Sequence, residues 1–152
     1  MFIDDFSIGV GQSKDSIDIY RFGLKKDFGH IFLRSNIGWL SGYYEASLNY
    51  WQRGNDDLFG VAFSPVFVYN FGDKSKTIQP YIEGGIGAAY ISDTEIGSRD
   101  LTTHFQFEDR AGLGIRSRKV DLNFRYMHYS NGSIKQPNEG IDIFIFTISF
   151  PF

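Results

Sequence analysis

The sequence predicts an all-β protein: a single domain over residues 1–152, folded as an eight-stranded antiparallel up-and-down transmembrane β-barrel. Three observations carry that prediction. Apolar and polar residues alternate along most of the chain. Aromatic residues reach 18 %, with 16 Phe and 9 Tyr beside 17 Gly and only 4 Pro, a composition suited to sheet rather than to helices around a core. The apolar face is also bulkier than the inside of a narrow barrel can hold. Alternation marks strands because successive side chains leave a pleated backbone on opposite faces.

The elements follow in chain order. Strands are predicted near 2–11 and 17–26, divided by QSKDS and closed by KKDFGH, both rich in turn formers. A third strand, 36–51, sets Leu40, Tyr44, Ala46, Leu48 and Tyr50 against Ser41, Glu45, Ser47 and Asn49. After RGND a fourth, 58–71, carries Phe59, Val61, Phe63, Pro65, Phe67, Tyr69 and Phe71 on one parity. Its other parity holds Gly60, Ala62, Ser64 and Asn70, with Val66 and Val68 as exceptions. GDKSK leads to a fifth strand, 77–91, where Ile78, Ile82, Ile86 and Tyr90 oppose Gln79, Glu83, Gly85 and Gly87. SDTEIGSRD precedes a sixth, 103–116. There Asp109 shares the parity of Phe105, Phe107, Leu113 and Ile115, so a carboxylate is expected to face lipid, which is costly at the midplane. A tight connection around Ser117 leads to 119–130, and NGSIKQPNEG to 141–152. The connections alternate roughly short and long. In the last strand Phe144, Phe146, Ile148, Phe150 and Phe152 share one parity. That ending resembles the terminal strand of bacterial outer-membrane barrels, which by resemblance is also the assembly signal.

An eight-stranded barrel has room inside for side chains and little else. The polar face offers Gly and Ser with Arg21, Lys25, Glu45, Glu83, Glu108, Arg110, Asp121, Asn123 and Arg125, charges that can pair across a lumen. A polar inside with an apolar outside inverts a soluble protein, and lipid requires it; closure then satisfies every backbone group. A plugged barrel, not a pore, is expected.

Composition excludes other classes. Fifteen Lys and Arg against 18 Asp and Glu give net charge −3, without the basic surplus of a nucleic-acid binder. No apolar run approaches the ~20 residues of a spanning helix. MFIDDFSIGV lacks a basic n-region and an apolar h-region, so no signal peptide is expected there. Cysteine is absent, and His30, His104 and His128 are too scattered for a metal cluster, so neither metal nor cofactor is expected. Gly85-Ile86-Gly87 lies within a strand, where lumen packing accounts for it better than phosphate binding. Asn131-Gly132-Ser133 matches a glycosylation sequon that a bacterial barrel would not use.

The stretch MHYSNGSIKQPNEGID holds the candidate chemistry. Counting by two from Val120 through Leu122, Phe124 and Tyr126 reaches His128 and Ser130. Counting back from Phe152 reaches Asp142. All three are therefore expected on the outer wall, at the end away from the termini. Residues two apart on a strand lie ~6.5–7 Å apart on one face. A serine needs a base to become nucleophilic, and the base needs an acid to hold its tautomer. Asn138, Asn131 and the amides near Gly132 are candidate oxyanion donors. Glu139 is a rival acid and Ser133 a rival nucleophile. Arg99, Lys135 and Arg53 are candidate phosphate contacts, though solvated loop charge is the plainer reading of each. Interfacial polarity at the edge of the apolar band is the plain reading of the trio itself.

HYSNGSIKQPNEGID resembles the signature of the PagL family, outer-membrane lipid A 3-O-deacylases. GYYEASLNYW, FSPVFVYNF, IQPYIEGGIG and FEDR add to the resemblance, which runs from about residue 36 to the end. It implies an eight-stranded barrel in the bacterial outer membrane, surrounded by its lipids. It further implies a serine esterase acting on lipid A of lipopolysaccharide, with Ser130 as nucleophile and His128 as base. Asp142 aligns with the family's acid, where glutamate is expected, and Asn138 and Asn131 with its oxyanion region. Two other readings stand beside this one: a non-catalytic structural or adhesive barrel of the OmpX kind, and a soluble lipocalin-like carrier with its apolar face inside.

Overall fold

A computed structural model describes residues 2–152. The strands are β1 (Asp5–Ser13), β2 (Asp18–Asp27), β3 (Leu33–Arg34), β4 (Gly38–Arg53), β5 (Asp56–Phe71), β6 (Gln79–Ile91), β7 (Glu95–Ile96), β8 (Arg99–Asp100), β9 (Phe105–Arg116), β10 (Asp121–Ser130) and β11 (Ile141–Pro151). Eight of them form the barrel wall: β1, β2, β4, β5, β6, β9, β10 and β11. Each pairs antiparallel with its neighbours, and the β1–β11 ladder closes the cylinder. The three others are short. β3 folds back on β4, and β7 and β8 form a small hairpin at the site end. Neither is visible as alternation, because a two-residue strand has no period to read.

Closure is staggered. Stepping from Asp142 across the ladders passes His128, Asp109, Ile86, Pro65, Tyr44, Lys26 and Asp4, then returns to β11 at Phe152, ten residues along. A stagger of this kind tilts the strands against the barrel axis. It also leaves no free edge, and the wall ladders are continuous except between β5 and β6, where pairing lapses around Pro65, which has no N–H.

The faces lie as the alternation predicts. Ile8, Phe22, Leu48, Val61, Ile86, Leu113 and Phe124 point outward and exposed, while Arg21, Lys25, Glu45, Glu83, Glu108, Arg110, Asp121, Asn123 and Arg125 are buried within. The outward apolar face overturns the lipocalin-like reading, which needs it inside. Aromatic pairs occur toward both ends of the wall, such as Phe6–Phe150 near the termini and Tyr50–Phe59 near the opposite end.

The lumen is layered. In its middle, Arg21 meets Glu45 at 2.6 Å and Glu108 at 2.8 Å, Arg110 meets Glu108 at 2.8 Å, and Arg125 meets Glu83 at 2.8 Å. Gly87 makes room there: a Cβ would sit 1.8 Å from the Ser64 hydroxyl, which itself donates to Glu108 at 2.8 Å. Toward the site end the lumen becomes apolar, an arrangement the polar parity did not suggest. Trp51, Leu58, Ile91, Met127, Ile141 and Ile143 pack together there, joined by Ile96 from the β7–β8 hairpin and Leu101 beyond it. This plug backs the wall on which His128 stands.

Asp109 does face outward, opposite His128 in the β9–β10 ladder and fifth of the twelve β9 residues, so the carboxylate expected on the lipid side stands there. The connections do run roughly short and long in turn, but they do not sort by length between the two ends of the barrel. The tightest turn, 54–55, lies at the same end as 131–140, while the longer 28–37 lies at the end of the termini. Strand count and termini fix which end is which; loop length does not.

Candidate active site

The β10–β11 hairpin creates the site through its register. His128 and Asp142 are direct ladder partners, so their side chains leave adjacent strands on the same outer face. His128 Nδ1 lies 2.7 Å from Asp142 Oδ1, with the two side chains 36 % and 30 % exposed. An ionised carboxylate only accepts, so Nδ1 of a neutral imidazole carries the proton and Nε2 is left as the acceptor. Orientation and tautomer of the base are both set by this pair.

Ser130 follows on the same face of β10 and is half-buried, opposite Phe107 of β9. Among the described residues its hydroxyl makes no hydrogen bond. Such bonds are often long in a resting site and tighten with substrate. The structure thus joins the expected base and acid, and leaves the expected nucleophile on the same face of β10 without a partner.

Asp142 has further partners. The Tyr126 hydroxyl donates to Oδ1 at 2.6 Å, and Lys14, from the β1–β2 turn, lies 3.5 Å from Oδ2. Sequence reasoning missed Tyr126, although its parity matches that of His128 and Ser130. Gly140 was missed as well. Its φ is +65°, and a Cβ there would meet His128 Cε1 at 3.0 Å and Nε2 at 3.4 Å. A glycine is required both for the backbone conformation and for the imidazole to lie against it.

The oxyanion candidates separate. Asn131 is fully buried, and its amide donates to Lys135 O at 2.8 Å and Leu101 O at 3.3 Å. Its backbone N–H is spent on Asn138 Oδ1 at 3.0 Å. In this arrangement Asn131 builds the loop and aims no donor at Ser130. Its odd parity, shared with buried Tyr129, was the available signal. Asn138 is half-buried, and its amide donates only a long bond, 3.4 Å, to Ser133 Oγ. Gly132 stands at φ +64° directly after Asn131, and no backbone acceptor takes its N–H among the described residues.

Other sequence candidates find structural roles. Glu139 accepts the Asp100 N–H at 2.7 Å and is turned to the β7–β8 hairpin, not to His128. Arg99 pairs with Asp15 at 2.7 Å, and Arg53 donates to the Asp15 carbonyl, so both bind loops together. The Arg99 hydrogen bond holds the Asp15 carboxyl below its ordinary value. Lys135 is exposed. Ser133 is exposed at φ +65°. His104 Nδ1 bonds Ile91 O at 2.7 Å, and His30 packs on Phe32 at the opposite end.

A closed, plugged barrel with an apolar coat defines an outer-membrane β-barrel, and the His128–Asp142 cluster lies on that coat. The family model described as Lipid A 3-O-deacylase (PagL) matches residues 19–151. The chain belongs to this family. It is 37 % identical over 150 residues to the lipid A deacylase PagL of Pseudomonas aeruginosa, covering 97 % of this chain and 86 % of that protein. It is 33 % identical over 122 residues to the lipid A deacylase PagL of Bordetella bronchiseptica, covering 77 % and 66 %. The crystal structure of the outer membrane enzyme PagL superposes with a TM-score of 0.92 at 36 % identity, covering 97 % of this chain and 99 % of that one.

Proposed function

We propose that this protein is an outer-membrane serine esterase that hydrolyses the ester-linked acyl chain at the 3-position of lipid A. Ser130 attacks the ester carbonyl while His128 Nε2 takes its proton, and Asp142 steadies the imidazolium that forms. The alkoxide of the sugar leaves with the proton from His128, and an acyl-enzyme remains. Water, deprotonated by the same imidazole, then attacks the acyl carbonyl and releases the fatty acid, restoring Ser130. The Gly132 N–H and the Asn138 amide are the proposed donors to the oxyanion; Asn131 supports them by fixing the loop. The His128–Asp142 pair at 2.7 Å beside an unpaired serine on the lipid-facing wall carries this reading. A substrate whose acyl chains already lie in the leaflet can be attacked laterally, without extraction. Kinship to proteins named lipid A deacylases supports the substrate class.

The test is incubation of detergent-purified protein with lipopolysaccharide, followed by mass spectrometry of lipid A. Loss of one 3-linked hydroxy fatty acid is expected, and unchanged lipid A would leave only the structural-barrel reading. Retained activity in Ser130→Ala would transfer the nucleophile to Ser133 or elsewhere.

A further inference from the structure

We infer that Tyr126 is a positioning residue for Asp142, holding the carboxylate against His128. The inference rests on the proposed reading of the site and adds a member to it. Tyr126 is the ladder partner of Phe144, one step of the outer face below the His128–Asp142 pair. Its ring lies against Phe144, with centroids 5.4 Å apart, and its hydroxyl reaches diagonally up to Asp142 Oδ1 at 2.6 Å. The same oxygen accepts from His128 Nδ1 at 2.7 Å. One carboxylate oxygen is therefore gripped from both sides along β10.

The grip is needed because Asp142 has a competitor. Lys14 stands 3.5 Å from Oδ2 on a largely exposed side chain, in the turn that follows β1. A carboxylate swung toward that ammonium would leave Nδ1 of His128 without an acceptor, and the tautomer would no longer be set. A phenol on the lipid-facing wall has few water molecules to satisfy its O–H, so a charged acceptor binds it strongly. Tyr126 and Asp142 thus fix each other. The aspartate is short, and the direct His128–Asp142 register together with the Tyr126 hydroxyl brings it within range without the extra methylene of a glutamate.

A double-mutant cycle tests this. kcat and KM for fatty-acid release from lipopolysaccharide are measured for wild type, Tyr126→Phe, Asp142→Ala and the double variant. Phenylalanine keeps the ring on Phe144, so the wall is preserved. Tyr126→Phe is expected to lower kcat on the order of tenfold, as for loss of a hydrogen bond to a charged group, with KM little changed. In the Asp142→Ala background it should cost nothing more, because nothing is left to hold. Wild-type kcat in Tyr126→Phe, or an equal loss in both backgrounds, would reduce Tyr126 to a wall residue and overturn the inference.

A second readout needs no turnover. The Nδ1 proton of His128, bonded to Asp142, is expected as a downfield resonance in the proton NMR spectrum of wild type and Ser130→Ala. It should weaken or vanish in Tyr126→Phe and be absent in Asp142→Ala. An undiminished signal in Tyr126→Phe overturns the inference. Inert wild-type protein would instead remove the deacylase reading, with this spectrum still deciding whether Tyr126 holds the pair.

Discussion

Glu45 in the lumen and Asp142 on the outer wall are both carboxylates held by several donors, and they are held for different ends. Glu45 is fully buried, with Arg21 and Arg110 on one oxygen and Arg125 near the other. Its partners are guanidiniums, which do not give up their protons. That network neutralises charge taken out of water and fills the barrel. Asp142 is part-exposed and bonded to an imidazole whose other nitrogen is unspent, beside a serine with no partner. Hydrogen-bonding capacity is left over on the membrane-facing side of the wall, and that is where the proposed chemistry is placed.

The comparison is broken most severely by Ser130→Ala. Activity should fall by ~10³-fold or more while the barrel stays folded, since the variant removes the proposed nucleophile. Deacylase assays beside heat-shifted gel mobility separate the two effects.

Glu45→Ala acts on the other region. Removing the acid leaves three buried guanidiniums short of a partner, and breaking a buried ion pair costs about 3–5 kcal/mol. Urea titration of the barrel in detergent should show that loss, whereas Asp142→Ala strands no buried guanidinium and removes only the acceptor of Tyr126 and His128, so it should cost less, about 1–2 kcal/mol. Equal destabilisation by both variants would erase the distinction between lumen and wall.

Gly140→Ala sharpens it. The added methyl meets the imidazole at 3.0 Å on a backbone held at φ +65°, so His128 must shift. Displacement of a base by a fraction of an ångström should lower kcat by up to ~10²-fold with the fold retained. Activity at the wild-type level would show that the imidazole does not use that surface.

Asp142→Glu has the smallest expected effect. The longer side chain still starts from the ladder partner of His128, so activity should be unchanged or higher. Complete loss would count against Asp142 as the acid.

Much of this was legible before any coordinates. Each of the eight wall strands was placed to within a few residues, because long amphipathic strands repeat the same signal many times. The outward parity of His128, Ser130 and Asp142 came from the same counting, as did the inward charges from Arg21 to Arg125. The apolar plug was not legible, since Trp51, Met127 and Ile143 share their parity with polar residues and mean hydropathy cannot separate two layers of one lumen. The inward turn of Asn131 followed from parity but was hidden by its place at a strand end, where the period of two runs out.

By itself the sequence determined which face of each strand meets lipid, because side-chain direction alternates locally whatever the rest of the chain does. Only the tertiary structure decided that His128 stands opposite Asp142, that Tyr126 reaches the same oxygen, and that Glu139 is turned to another loop. Those facts depend on ladder register, barrel stagger and rotamers. Each is set by groups far apart in the chain, which alternation along one strand does not encode.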